Sequence, residues 1–253
     1  MSLDVNIVKR LRHFNLHVSF SCSNRELLGI VGPTGAGKTT IIRTICGLEK
    51  PDSGRITHND IIWTSTKDNI DIPTRKRNIG YVFQEYILFP NLNVYENVAF
   101  AAKDHGKVKE LMKRLDIWHL KDSRPCNISG GERQRCAICQ TLAREPEVLL
   151  MDEPFSALDA LTRKKLKGLI KSLKSELSIP VIYVTHDIRE ARELSDDILP
   201  VVNGKVDQKW MLQFLLAPDS RDFCGYNNNS GEEDNIEDNT DIKLPAISGE
   251  YVL

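Results

Sequence analysis

The sequence lacks a long apolar run: none of its hydrophobic stretches approaches the roughly 18 residues that a membrane-spanning helix needs. Its first residues also lack the pattern of a secretory signal, in which basic residues precede an apolar core. With 41% hydrophobic and 27% charged residues among 253, the composition is otherwise that of an ordinary soluble domain. We therefore expect a protein that remains in the cytoplasm.

A strong excess of either charge is also missing, since the formal net charge is only −1. That value hides an uneven distribution. Residues 218–253 carry nine acidic side chains against two basic ones, a net charge of −7, which leaves about +6 on residues 1–217. A positive charge this weak and dispersed argues against a nucleic-acid partner, although it suits the negatively charged surface of a membrane. We expect one folded domain at 1–217 and an acidic, poorly ordered tail at 218–253.

The six cysteines are scattered, and only Cys136 and Cys139 form a tight pair. A thioredoxin-like or metal site would need a second pair or a strand–turn context, and the sequence offers neither. Because the pair lies in a run with a helical pattern, we expect both thiols to be small buried groups on one face of a helix.

Strand and helix patterns alternate along the chain. Apolar or alternating runs predict strands at 3–8, 14–20, 27–31, 79–83, 148–151, 181–184 and 198–202. Apolar residues at helical spacing predict a helix from Thr39 onward, a helical block from about 94 to 142, and helices at 159–176 and 187–195. The first helix has Ile41, Ile42, Ile45 and Leu48 at helical spacing, and Gly47 with residues 51–54 is expected to stop and turn the chain. The sequence thus predicts an α/β core with an N-terminal antiparallel β part and an α-helical subdomain inserted at about 85–145.

A glycine-rich segment follows the predicted strand at 27–31 and opens the first helix. It reads Gly32-Pro33-Thr34-Gly35-Ala36-Gly37-Lys38-Thr39-Thr40. In this context the backbone N–H groups converge on phosphate oxygens, and the helix N-terminus adds positive potential. Lys38 would reach the β- and γ-phosphates, and the Thr39 hydroxyl would ligate Mg²⁺. The segment therefore predicts a site for ATP and Mg²⁺.

An acidic pair ends the apolar run at 148–151. Asp152 comes at the carboxyl end of a predicted buried strand, where ligands gather in open α/β sheets, so we expect it to hold Mg²⁺ through a water molecule. Glu153 comes one residue later and points in a different direction, which leaves it free to polarise the attacking water. The pair predicts hydrolysis of the bound nucleotide.

A second glycine-rich segment, which we call the second cradle, contains Ser129, 91 residues beyond Lys38. It reads Ile128-Ser129-Gly130-Gly131-Glu132-Arg133-Gln134. One nucleotide has a single set of phosphates, so a second cradle needs a reason. The simplest is that each chain lends its second cradle to the nucleotide held by a partner copy. The sequence therefore predicts a dimer that is switched by ATP.

The order of these motifs resembles the ATP-binding subunits of ATP-binding-cassette (ABC) proteins over about residues 3–217. The resemblance implies a P-loop NTPase core of the ABC type and an ATPase activity. It identifies the second cradle as the family's signature segment, whose members Ser129, Gly130, Gly131 and Glu132 would bind the partner's ATP. It also implies that the acidic pair Asp152 and Glu153 takes the metal-binding and catalytic places.

Three further roles follow from the resemblance alone. Gln84 would sense Mg²⁺ and the attacking water, and His186 would contact the γ-phosphate. The segment Ser156-Ala157-Leu158-Asp159 would contact the dimer partner. The implied catalytic residues are thus Glu153, His186 and Gln84, and the implied metal ligands are Thr39, Gln84 and Asp152.

The chain departs from the family pattern at two places. Glu132 stands where glutamine is commonest, a change that we expect to preserve phosphate binding. The end of the first strand lacks the aromatic residue that usually stacks on adenine. Either Phe14 substitutes for it or adenine is held less specifically.

Within the family the chain is similar to the subunits of importers. Residues 85–98 look like the stretch that, in bacterial and archaeal importers, grips a short helix of the membrane subunit, with Asn93 and Glu96 capping the helix that follows. The short hairpin around residues 9–14 looks most like the molybdate/tungstate group. The resemblance implies a homodimer on the cytoplasmic face of the membrane, bound to permease subunits and served by a solute-binding protein. The alternative is a non-transport ABC ATPase of the repair, chromosome or translation type, acting on a macromolecular partner.

Overall fold

The computed structural model describes residues 2–156 and 158–216. The predicted tail at 218–253 and Ala157 of the predicted partner-contact segment lie outside these residues. The strands are β1 (Ser2–Arg10), β2 (Asn15–Ser23), β3 (Leu27–Val31), β4 (Ser53–His58), β5 (Ile61–Ser65), β6 (Ile70–Asp71), β7 (Ile79–Val82), β8 (Val148–Asp152), β9 (Val181–Thr185), β10 (Asp197–Val202) and β11 (Lys205–Val206). The α-helices are α1 (Lys38–Cys46), α2 (Val94–Ala99), α3 (His105–Arg114), α4 (Gly130–Leu142), α5 (Ala160–Glu176), α6 (Ile188–Leu194) and α7 (Gln208–Leu216). Short 3₁₀ turns lie at Thr74–Lys76, Trp118–Leu120 and Pro125–Asn127.

These strands form one sheet, in the order β6-β5-β4-β1-β2-β11-β10-β3-β9-β8-β7. One half is antiparallel, with β1 between β2 and β4. The other half, from β10 to β7, is parallel. The short strand β11 joins the halves, because it pairs antiparallel with β10 and parallel with β2.

The parallel strands β3, β8 and β9 are buried along their whole length. Their side chains alternate between two apolar clusters, one on each face of the sheet. Leu149 and Met151 join the cluster formed with α2 to α5, whereas Val148 and Leu150 join the cluster formed with α1 and the antiparallel strands. Because parallel strands end at the same edge of a sheet, the residues that follow β3, β8 and β9 meet there.

Most predicted elements are confirmed, with shifted ends. Strand β2 begins at Asn15, so Phe14 lies in the turn before it, and β7 ends one residue before Phe83. The predicted stop of the first helix at Gly47 is confirmed. That helix ends at Cys46 because Gly47 takes a left-handed conformation with φ 75°, and Leu48 is 47% exposed. The hairpin strands β4 to β6, strand β11 and helix α7 were not predicted.

Helices α2, α3 and α4 fall inside the predicted insert at 85–145. They share an apolar cluster with β8, β9 and α5 and have no separate core of their own among the described residues. Cys136 and Cys139 lie fully buried in this cluster, which confirms the prediction that they are packing residues of one helix. Burial raises the pKa of the Cys136 thiol to about 12, so this thiol stays protonated and unreactive near neutral pH.

The buried guanidinium of Arg77 ties the first helix to the antiparallel strands. It donates to the carbonyl oxygen of Ile45 at the end of α1 (2.8 Å), to Thr64 Oγ1 (2.8 Å) and to Asp71 Oδ1 (2.9 Å). A Cβ atom at Gly47 would lie 2.7 Å from Arg77 Cζ, so glycine is required there for space as well as for its backbone angle. The helix that carries the phosphate segment is therefore held at both ends.

Buried His58 should make stability depend on pH. Its ring is 2% exposed and contacts the ring of Trp63, and burial lowers its pKa below the ordinary 6.5, an effect that Glu147 at 3.7 Å opposes. As the pH falls below 6.5, the unfolded chain takes up a proton that the folded chain resists, so the free energy of unfolding should decrease, by at most about 1.4 kcal/mol per pH unit. Urea unfolding at pH 7.5 and pH 5.5 measures this decrease.

The comparison variant for this measurement is His58→Gln, which cannot titrate. Its loss of stability between the two pH values should be smaller than that of the unchanged protein. Equal losses in the two proteins would assign the acid sensitivity to other groups.

Candidate nucleotide site

The segment after β3 folds into a loop that its glycines permit. Gly35 and Gly37 take left-handed angles, with φ 82° and 99°, and a Cβ atom at Gly32 would lie 1.9 Å from the carbonyl oxygen of Val201. The loop then passes directly into α1, whose first residue is Lys38. The first N–H groups of a helix have no acceptor within that helix, so a helix start of this kind suits a phosphate.

The Lys38 ammonium closes the loop from inside. Its Nζ donates to the carbonyl oxygens of Gly32 (2.7 Å) and Pro33 (2.9 Å), and the residue is only 5% exposed. Burial lowers the pKa of Lys38, whereas the nearby carboxylates of Glu153 and Asp152 raise it. A buried cation whose hydrogen bonds within the described residues go to carbonyl oxygens is well placed to bind a phosphate.

Asp152 lies at the centre of the site. Thr39 Oγ1 donates to its Oδ1 (3.1 Å) and the Tyr81 hydroxyl donates to its Oδ2 (3.0 Å). The residue is 4% exposed, and burial raises the pKa of its carboxyl, although both hydroxyl donors act in the opposite direction. The hydroxyl and carboxylate oxygens of Thr39 and Asp152 form the hard donor set that Mg²⁺ prefers. The contribution of Tyr81 was missed, since its partner lies 71 positions away.

Glu153 and His186 form a pair beside Asp152. His186 Nδ1 lies 3.3 Å from Glu153 Oε1, and the imidazole is about half exposed. Glu153 has a positive φ of 44°, and its N–H donates to the carbonyl oxygen of Val184 on β9 (3.1 Å). Glu153 thus contacts His186, whereas Asp152 accepts from Thr39 and Tyr81.

Gln84 lies just past the end of β7, the strand that pairs with β8. Its side chain is exposed, so it stands at the same edge of the sheet as Asp152 but is not packed into the site. The predicted partner-contact segment begins at Ser156, three residues after Glu153. Ser156 Oγ donates to the carbonyl oxygen of Glu153 (3.1 Å), and Asp159 caps α5 by accepting from the N–H groups of Leu161 and Thr162 (3.0 Å each).

The second cradle opens α4. Ser129 caps this helix in a reciprocal arrangement: its Oγ accepts from the N–H of Glu132 (3.3 Å), and the Glu132 carboxylate accepts from the N–H and the hydroxyl of Ser129 (2.7 and 2.8 Å). These contacts lower the pKa of Glu132, chiefly through the backbone hydrogen bond from Ser129. A Cβ atom at Gly131 would lie 2.3 Å from Thr162 Cγ2 of α5, whereas Gly130 faces open space.

The structure thus groups the predicted residues into two sets. Lys38, Thr39, Asp152, Glu153 and His186 meet at the carboxyl edge of the parallel strands. The side-chain hydrogen bonds of Ser129 and Glu132 stay within the second cradle in the part of the chain that the structure describes. Within the described residues of one chain, no side-chain hydrogen bond of Ser129 or Glu132 therefore connects the second cradle to the first set.

Phe14 packs against the phosphate loop. A Cβ atom at Gly37 would lie 3.6 Å from Phe14 Cε2, and one at Gly204 would lie 2.6 Å from Phe14 Cδ2. The ring is half-buried and supports the loop from outside. An adenine could reach only the part of the ring that this packing leaves exposed.

Comparison with known proteins gives a consistent result. The family model described as "ABC transporter" matches residues 16–156. A probable sulfate/thiosulfate import ATP-binding protein of Chlorella vulgaris is 43% identical over 213 residues, which cover 80% of this chain and 88% of that protein. A molybdate/tungstate import ATP-binding protein of Archaeoglobus fulgidus is 38% identical over 223 residues, covering 86% of this chain and 90% of that protein. Some relatives are longer: the chain spans 60% of the sulfate/thiosulfate protein of Synechocystis.

Solved structures agree with the fold. The protein cbiO1 of Clostridium perfringens, part of an ABC transporter complex, superposes with a TM-score of 0.71 at 30% identity, covering 81% of this chain and 86% of that one. A dimeric bacterial ABC transporter cassette superposes with a TM-score of 0.69 at 31% identity, covering 82% and 97%. A dimeric post-hydrolysis state with ADP and Pi gives 0.67 at 29% identity, covering 82% and 97%. These likenesses confirm the predicted fold class.

Proposed function

Because this chain belongs to the ABC transporter family, in which it is an ATP-hydrolysing subunit, we propose that it energises a membrane importer through ATP-driven dimerisation. The observation that carries this proposal is the separation of the phosphate loop from the second cradle. One set of groups, around Lys38 and Asp152, suits the phosphates and metal of a bound ATP, while Ser129 and Gly131 stand apart on another helix. A second chain is needed to complete the site.

Each residue of the first set has a distinct task in this proposal. Lys38 and the loop N–H groups bind the β- and γ-phosphates. Thr39, Asp152 and Gln84 would hold Mg²⁺, and the bound metal would supply charge neutralisation along the phosphates. Glu153 accepts the proton of the attacking water.

His186 lies beside Glu153 at 3.3 Å. It orients that carboxylate and donates a hydrogen bond to the γ-phosphate.

The second set acts across the interface. Ser129 and the free N–H groups at the start of α4 bind the γ-phosphate of the nucleotide held by the partner. Hydrolysis removes this bridge, and the dimer opens. Two similar solved structures are of dimers, which supports the dimeric state in this proposal.

Tyr81 should affect the metal dependence of hydrolysis. Its hydroxyl fixes Asp152 through a hydrogen bond of 3.0 Å, and a bond to a charged group is worth about 1.5–3 kcal/mol. Tyr81→Phe keeps the ring and removes this bond, so the Mg²⁺ concentration that gives half-maximal ATPase activity should rise by on the order of tenfold. A titration with MgCl₂ at saturating ATP measures the shift.

The matched control is Tyr95→Phe, which changes the same atom on α2, away from the sheet edge. It should leave the metal titration unchanged. If Tyr81→Phe behaved in the same way as this control, Tyr81 would have no part in holding the metal ligand.

A surface between β7 and α2 suits a membrane partner. It consists of four exposed apolar side chains, with exposures of 38%, 59%, 38% and 65%: Phe83, Ile87, Phe89 and Phe100. Buried Asn97 fixes the loop that carries Phe89, because its amide donates to the carbonyl oxygens of Phe89, Leu92 and Asn93 and its Oδ1 accepts from the Phe89 N–H. A firmly held apolar surface of this kind fits a short helix of a permease subunit.

Phe100→Asp should weaken binding to the permease by on the order of tenfold or more, because a charge replaces an exposed aromatic side chain that the permease would bury. The ATPase activity of the isolated chain should stay unchanged. Co-purification of the chain with co-expressed permease subunits measures the loss.

Ile61→Asp is the control for this variant, since Ile61 is similarly exposed (56%) but lies on the distant strand β5. Retention of the permease by Phe100→Asp would remove this surface from the proposal.

The transported solute in this proposal is a tetrahedral oxyanion. Relatives named for sulfate/thiosulfate are 43% and 40% identical to the chain, and a relative named for molybdate/tungstate is 38% identical. The comparisons therefore do not favour molybdate/tungstate over sulfate/thiosulfate as the solute. Uptake of labelled sulfate and molybdate by cells lacking this chain, with and without its return, distinguishes the two classes. Failure to restore uptake of either would contradict oxyanion import.

The remaining partners belong to the same proposal. A homodimer would sit on the cytoplasmic face of the membrane, bound to permease subunits and supplied by a solute-binding protein. No helix between residues 2 and 216 that the structure describes is long and apolar enough to cross a bilayer. The non-transport alternative is not favoured, because the relatives described above are named as import subunits.

A further inference from the structure

The first turn of α5 carries one member of an ion pair that has no role in the proposed hydrolysis described above. Arg163 Nε lies 3.6 Å from Glu190 Oε1 of α6, and the Glu190 side chain is 7% exposed. Burial raises the pKa of Glu190, while Thr185, Lys167 and Arg163 act in the opposite direction. Burial of a carboxylate to this extent beside the nucleotide site costs free energy, so it requires a structural or functional reason.

Glu190 holds the segment that carries His186. Its Oε2 accepts from the Thr185 hydroxyl (2.9 Å), and that same hydroxyl accepts from the N–H of Asp187 (3.0 Å). Thr185, which precedes His186, is therefore bonded directly to this carboxylate. Asp187, which follows His186, is connected to it through the Thr185 hydroxyl. Glu190 thus restrains the chain on both sides of His186.

Arg163 connects this segment to the one that follows Glu153. Its Nη2 donates to the carbonyl oxygen of Leu158 (3.2 Å), while its Nε faces Glu190. The Arg163–Glu190 and His186–Glu153 pairs line the same small cavity, of about 40 Å³. The guanidinium thus spans the two segments that deliver the catalytic pair.

The same turn of α5 also supports the second cradle. Thr162, next to Arg163, occupies the space where a side chain on Gly131 would be, and Leu158 lies 3.8 Å from that point. The first turn of α5 therefore contacts the second cradle, which would bind the partner's nucleotide. Through Arg163 the same turn is connected to the segments of His186 and Glu153, which would act on the chain's own nucleotide.

We propose that Arg163 is a positioning residue for hydrolysis: through Glu190 and Leu158 it sets the distance between His186 and Glu153 when the second cradle is engaged. The inference rests on the proposed function, because it assumes that His186 and Glu153 act on ATP. Arg163 touches neither nucleotide nor metal in this account. Its loss should slow the chemical step without weakening ATP binding or dimer formation.

The test compares kcat, KM and ATP-driven dimerisation for four variants. Arg163→Met keeps the length of the side chain and removes its charge, and it should lower kcat by on the order of tenfold or more, as small misplacements of catalytic groups do. Arg163→Lys should recover part of kcat, because an ammonium can pair with Glu190 but cannot also donate to Leu158 through a second nitrogen. Glu190→Gln should fall between them.

The fourth variant, Glu193→Gln, is the matched control. Glu193 lies one turn along α6 from Glu190 and pairs with Lys167 of α5 (2.8 Å), outside the cavity. It should leave kcat unchanged. The KM of each Arg163 variant should stay within about twofold of the parent, and so should its ATP-driven dimerisation when that is measured in a Glu153→Gln background.

Two results would overturn the proposal: a kcat for both Arg163→Met and Glu190→Gln equal to that of Glu193→Gln, or a fall in ATP binding and dimerisation that matches the fall in kcat. If Arg163→Met fails to fold, Arg163→Lys and Glu190→Gln decide between these outcomes. Failure of Glu153→Gln alone to dimerise with ATP would instead contradict the proposed function.

Discussion

Glu153→Gln should lower the rate of ATP hydrolysis by on the order of 10²-fold or more while ATP still binds. Glu153 has the only carboxylate that the structure places against His186 within the described residues, and it stands one residue beyond Asp152. The amide of glutamine keeps the shape of the side chain but cannot accept the proton of the attacking water. Release of phosphate at saturating ATP and the binding of a fluorescent ATP analogue measure the two properties separately.

The matched control for this variant is Glu147→Gln, which changes the same group at the opposite end of β8. It should hydrolyse ATP at the normal rate. Loss of ATP binding in Glu153→Gln would show that Glu153 contributes to affinity, and normal hydrolysis would transfer the role of base to another group.

Lys38→Ala should weaken ATP binding itself. The Lys38 ammonium is buried inside the loop and bonded only to the carbonyl oxygens of Gly32 and Pro33 among its described contacts, so a phosphate is the anion that it lacks. A charge-assisted contact is worth about 1.5–3 kcal/mol, which corresponds to a loss of affinity of roughly 10- to 150-fold. Titration with the fluorescent ATP analogue measures the change in Kd.

Lys50→Ala is the control, because this lysine is 81% exposed and pairs with Asp71 away from the loop. Thermal unfolding of both variants separates lost affinity from lost stability. An unchanged Kd in a stable Lys38→Ala protein would exclude the loop as the phosphate site.

The phosphate loop and the acidic pair were predictable because each is contiguous in sequence and follows a buried strand. Lys38 and Thr39 come from one loop, and Asp152 ends one apolar run, so local pattern and sheet geometry together place them at one edge. His186 and Gln84 were identified through family resemblance, since a single histidine or amide has no local signature.

The contacts that support these residues were not predictable in the same way. Tyr81 reaches Asp152 across two neighbouring strands, and Arg163 reaches Glu190 between two helices that are separated by β9. No periodic pattern marks such pairs, because each depends on how distant segments pack. The polar hairpin of β4 to β6 escaped prediction for a related reason: its strands have little apolar alternation.

If the second cradle acts on a partner's nucleotide, as proposed, the oligomeric state of Glu153→Gln should depend on ATP, and this measurement tests the proposal most directly. Size-exclusion chromatography with light scattering should show a monomer with ADP and a dimer with ATP, because only ATP has the bridging γ-phosphate. Adding Ser129→Arg should abolish the dimer and leave the ATP affinity of the single chain nearly unchanged. A Ser129→Arg monomer that loses ATP binding as severely as Lys38→Ala would show that the cradle serves its own chain, and would contradict the account.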